Sequence, residues 1–229
     1  MKSIKPVVLA FVAATAILAF VGTTTASAII VKKTVACKVK EEPCKAGNIF
    51  AKGLKMKGQL KKGTEGILAT SVGTIKCKSG FAEGESLEEK GTKAPSEGGA
   101  YEIEGRVTKS TLGECTLGST ACTVTMTNLP WTNLTKWTGI DTGVAKIPKP
   151  KEGAEPGGKV VCGFFVNCVF TTNNAKETIH GGEPATGEVN NVFLEKKEGS
   201  LCPKEATLSG QYEVTEPNPI HISYVEEEL

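Results

Sequence analysis

The chain has 229 residues, 27 of them basic and 25 acidic, for a formal net charge of +2. Lys2 and Lys5 supply that excess, so residues 29–229 are neutral and carry no global field that would draw in a polyanion. Arg106 is the sole arginine, and the guanidinium-rich surface of a nucleic-acid binder is excluded with it. Asp141 is the sole aspartate, which leaves a lysine and glutamate surface of the kind that keeps a protein soluble.

Residues 1–28 read as a secretory signal peptide. Lys2 and Lys5 precede an apolar run from Pro6 to Val21, and Ala26-Ser27-Ala28 forms a small-residue exit. The run falls short of the roughly 20 residues that span a bilayer, so the processed chain is not expected to span a membrane. Cleavage leaves residues 29–229, the size of a single domain. All eight cysteines lie beyond the leader, which places the chain in an oxidising compartment, secreted, extracellular or wall-associated.

From residue 29 onward the glycines, prolines, threonines and short alternating runs predict antiparallel β-structure throughout. Residues 29–62 hold ten lysines against Glu41 and Glu42, and Lys52, Lys55, Lys57, Lys61 and Lys62 are its candidate binding residues for an anionic cell-wall polymer. Lys55, Lys57 and Lys61 also alternate with Leu54, Met56 and Leu60, as the wet side of an outer strand would. Strands are predicted near 47–60, 66–77 and 100–110, with Glu83–Gly99 a loop between the last two. Cys122–Thr127 alternates strictly, Cys122, Val124 and Met126 facing the core. Trp131 and Trp137 follow; exposed they would stack on a glycan or a protein partner, and buried they are core. Asn133-Leu134-Thr135 is a glycosylation sequon.

A strand is predicted at 137–147, and within it Asp141-Thr142-Gly143 matches the aspartic-protease triplet. That chemistry needs two aspartates sharing a proton, and a turn between strands accounts for the same residues. Pro148–Gly158 is a second loop. Strands near 159–170, 186–195, 208–214 and 220–224 complete a disulfide-stabilised antiparallel β-sandwich of 8 to 12 strands. His180 falls at a turn, and His221 is a surface or hydrogen-bonded histidine.

The eight cysteines, Cys37, Cys44, Cys77, Cys115, Cys122, Cys162, Cys168 and Cys202, allow 105 pairings. If Val160–Phe170 is one extended strand buried on both faces, Cys162 and Cys168 lie about 20 Å apart and bond to other strands, with Cys122 and Cys202 as partners. If they bond to each other, the segment is a tight loop presenting Phe164 and Phe165. Cys37 with Cys44 would close a short loop, and Cys77 with Cys115 would join consecutive strands, with Cys115–Cys122 as a rival. The cysteine and histidine spacing does not suit a metal site, and neither a metal nor a cofactor is expected.

The runs Cys122–Trp131, Val160–Phe170 and Leu201–Thr215 resemble those of uncharacterised secreted all-β proteins of actinobacteria, a likeness covering residues 66–225. It implies export and a disulfide-linked β-fold, and brings no activity. The expected function is a non-enzymatic binding or structural role at or outside the cell surface. The alternatives are a secreted hydrolase using a glutamate pair, and an inhibitor or toxin-like protein with an exposed Cys162–Cys168 loop.

Overall fold

A computed structural model describes residues 29–95, 98–150 and 152–229; the expected signal peptide, residues 1–28, lies outside them. Period-2 alternation governs these segments, because a strand turns successive side chains to opposite faces. The stretch Asn174–His180 is representative: Asn174, Lys176, Thr178 and His180 are exposed, while Ala175, Glu177 and Ile179 face inward.

The strands run in chain order round a closed wall. β1 (Ile30–Cys37) precedes it. Then come β2 (Lys55–Leu60), β3 (Gly66–Thr70), β4 (Gly73–Ser86), β5 (Ile103–Leu117), β6 (Thr120–Thr127) and β7 (Trp131–Gly139). β8 (Thr142–Pro148), β9 (Gly157–Cys162), β10 (Val166–Thr171), β11 (Asn174–His180), β12 (Thr186–Glu198) and β13 (Glu205–Glu216) complete the wall, and β14 (His221–Glu228) follows. β2 and β3 lie end to end along β4, β6 and β7 along β5, and β10 and β11 along β12. β8 and β9 likewise fill one position, β8 between β7 and β11, β9 between β6 and β10. The wall is thus a meander of eight staves, four of them broken in the middle.

β13 then pairs with both β2 and β3, which returns the last stave to the first. The expected antiparallel, disulfide-stabilised all-β fold is what the chain adopts, and its two facing layers are joined at both edges into one sheet closed on itself. Closure leaves the wall no free edge. Bulges after Leu112 in β5 and after Val189 in β12 add the bend and twist that let long staves wrap around a core.

β1 and β14 form a separate ribbon, Ile30 opposite Glu228 through Cys37 opposite His221, lying over one end of the wall. Beneath it sits a small core of Val35, Cys37, Cys44 and Ile49. The opposite end is filled by a larger cluster that includes Leu68, Ile75, Val160 and Phe170.

Disulfides join Cys37–Cys44, Cys77–Cys115, Cys122–Cys162 and Cys168–Cys202. The partners expected for Cys162 and Cys168 from the single-strand reading are therefore correct, but the strand itself is not. Val160–Phe170 is a hairpin: Gly163 adopts a left-handed φ of 55°, the chain reverses, and Val166 faces Cys162. The Cys162–Cys168 bridge of the inhibitor alternative is absent, because both sulfurs are bonded elsewhere. Cys115 and Cys122 do lie opposite each other, yet each bonds across its other flank. The expected strand at 137–147 is also a hairpin, reversing at Ile140 and Asp141, where Asp141 takes a left-handed φ of 50°.

Candidate functional site: the interior of the closed sheet

An eight-stranded closed sheet has an interior that side chains just fill, or that holds one small ligand. Here the inward positions Ala82, Ala145, Ala175 and Gly187 are small, and a chamber of about 390 Å³ remains. Its walls are predominantly apolar, with Leu112, Val124, Val189 and Leu208 contributed by opposite sides of the sheet. Val35 of β1 and Ile222 of β14 border it at the ribbon end.

The two tryptophans share one face of β7 but stand roughly 20 Å apart along the strand, in different surroundings. Trp131 faces the chamber, and its indole Nε1 donates to the Thr127 carbonyl at 2.8 Å. Trp137 lies under the ribbon, where its Nε1 donates to Glu42 Oε1 at 2.8 Å and its ring meets Tyr224 with centroids 4.5 Å apart. Lys32 Nζ stands 4.1 Å from the Tyr224 ring and 4.9 Å from that of Trp137. Asn133 also faces inward, its side chain filling the space a Cβ at Gly105 would need, so the sequon asparagine is turned away from any glycosylating enzyme.

Two polar groups enter the chamber side by side. Glu177 of β11 lies over Gly187 of β12, where a Cβ would overlap a carboxyl oxygen, and Gly187 is paired with Tyr212 of β13. The Glu177 side chain keeps intermediate accessibility because it borders the chamber, yet protein encloses it, and burial pushes its pKa up to about 7. Burial, with the Glu177 charge adding to it, pushes the Tyr212 phenol up to about 12. Among the described residues, no second carboxylate adds to the Glu177 shift.

Asp141 has a structural task. Its backbone N–H donates to Glu42 Oε1 at 2.8 Å, its Oδ2 lies 2.8 Å from His221 Nδ1, and its Oδ1 accepts the Ile222 N–H at 3.2 Å. Asp141 sits at a turn between strands, and its carboxylate locks β14 onto the β7–β8 hairpin. His221 is accordingly a hydrogen-bonded histidine, and His180 is exposed at the end of β11.

The lysines of residues 29–62 are dispersed by strand pairing. Lys33 forms an ion pair with Glu227 across the ribbon, Lys57 with Glu216 at 2.6 Å, and Lys45 with Glu41 at 3.5 Å. Lys55 is exposed on β2, and Lys52, Lys61 and Lys62 are exposed in the connections that flank it. Cys37, Glu41 and Cys44 lie close enough to share an ion, but the two sulfurs are bonded to each other.

At the end away from the ribbon the hairpin tips expose Val72, Phe164, Phe165 and Leu201, with Phe164 fully solvated. The sequence singled out Phe164 and Phe165 but missed Glu177. Its signal was a carboxylate on the apolar parity of Ala175, Glu177 and Ile179, obscured by the polar run Thr171–Lys176. Comparison with family models, with curated proteins and with solved structures finds no match to this chain.

Proposed function

We propose that this chain is an exported, non-enzymatic binding protein that holds a small, predominantly apolar molecule inside its closed sheet. The chamber of about 390 Å³ carries the reading: its volume falls within the range of small-molecule sites, roughly 300–1,000 Å³, and its apolar lining gains contacts when filled. The polar, charged residues on the outward positions of the wall support operation in water, since a lipid-facing barrel has the opposite polarity. The four disulfides, the expected leader and the resemblance to secreted actinobacterial proteins support a place outside the cytoplasm.

Titration with N-phenyl-1-naphthylamine, which fluoresces in apolar surroundings, tests it. Saturable enhancement at one site is expected, with a rise in melting temperature on binding. An Ala175→Trp variant that keeps its melting transition should lose the enhancement; equal enhancement in that variant would sink the reading.

A further inference from the structure

Glu177 is a carboxyl on an inward position of the chamber wall, and it has no hydrogen-bond or ion-pair partner among the described residues. The β11 register points it inward between Ala175 and Ile179. Gly187 clears the space for its carboxyl, and the Gly187–Tyr212 pairing brings a phenol to the same level. Among the described residues only burial perturbs this acid, with no cation or hydrogen-bond donor acting on it. Its oxygens are not sealed in, because they border the open chamber. Placing a carboxyl against apolar walls with neither ion pair nor hydrogen bond is costly, and such groups elsewhere are paired. The missing partner therefore belongs to whatever enters the chamber.

We propose that the ligand is a lipophilic amine, its ammonium held by Glu177 and its hydrocarbon part packed against the apolar lining. This rests on the reading of the interior as a ligand chamber. An ionised carboxylate is an acceptor only, so it matches a donor that also carries positive charge. A fatty acid would bring a second anion beside Glu177. A fatty alcohol would leave the carboxylate's charge uncompensated. Tyr212 borders the same chamber, near enough to sense the Glu177 charge, and a phenol suits an ammonium through its ring or its oxygen.

The test is competition against bound N-phenyl-1-naphthylamine at pH 8, using decylamine, decanol and decanoate below their micellar concentrations. Decylamine is expected to displace the probe at a concentration at least about tenfold lower than decanol, with decanoate weakest. Glu177→Gln should weaken decylamine by at least about tenfold and leave decanol within about twofold, which also certifies that the variant is folded. Equal displacement by decylamine and decanol, or an amine preference that survives in Glu177→Gln, would overturn the proposal. Failure of the probe and of all three competitors to bind would instead remove the chamber reading beneath it.

Discussion

Glu177 makes stability depend on pH in an unusual direction. Its pKa rises from 4.5 to about 7 on folding, so the folded chain binds the proton more tightly than the unfolded one. The sign follows: the group costs nothing below about pH 4.5, and stability is lost as pH rises through about 7, by about 3 kcal/mol in all. Glu155 and Glu227 act oppositely: hydrogen bonds from Thr171 and Lys33, respectively, lead the causes that hold these carboxyls low, so their stabilisation is lost as pH falls. The difference between wild type and Glu177→Gln isolates the buried acid. Urea denaturation is expected to find the variant about 3 kcal/mol more stable at pH 8.5 and nearly equal to wild type at pH 4. A pH-independent difference would contradict the burial of this carboxyl. Phe164 and Phe165, 102% and 81% exposed, are the opposite case. Replacing both by serine should leave the melting temperature unchanged, since neither ring leaves water on folding.

At the scale of elements, the ribbon and the cross-links can be perturbed separately. Asp141→Ala leaves the Ile222 N–H and His221 without their acceptor, at a cost of about 2–3 kcal/mol. Hydrogen exchange should localise that loss to β14 and the β7–β8 hairpin, with amides in β4 and β5 unaffected. Cys77 and Cys115 are 38 residues apart and Cys37 and Cys44 only 7. Loop-closure entropy then assigns about 4 kcal/mol to the first bridge and about 2 kcal/mol to the second. Double alanine variants should rank in that order by urea denaturation. The elements were legible where alternation was clean, as at Cys122–Thr127, and where glycine or proline punctuated it. They were misread where apolar residues ran unbroken: nothing in Val160–Phe170 says that Gly163 reverses the chain, because a buried strand and a buried hairpin share one composition. β11 was missed because an inward-facing glutamate breaks the very pattern that marks a strand.

For the whole molecule, closure depended on a contact between residues far apart in sequence. β13 meets β2 and β3 through pairs such as Tyr212 with Leu60 and Leu208 with Leu68. No local signal encodes that seam, so the class and the antiparallel pairing could be read from the chain but the chamber could not. The surroundings of the basic block of residues 29–62 were hidden for a related reason. Two of its charges are opposed in space by acidic residues of the C-terminal strands, Lys33 by Glu227 and Lys57 by Glu216. The β1–β14 ribbon has one more consequence, a mechanical one. Its rungs begin at Ile30 and Glu228 and end at Cys37 and His221, so tension applied at residues 29 and 229 loads them singly, as in a zipper. The ribbon should peel open at low force while the wall holds. Because Val35 and Ile222 border the chamber, a pull on residues 29 and 229 would uncover that end of it.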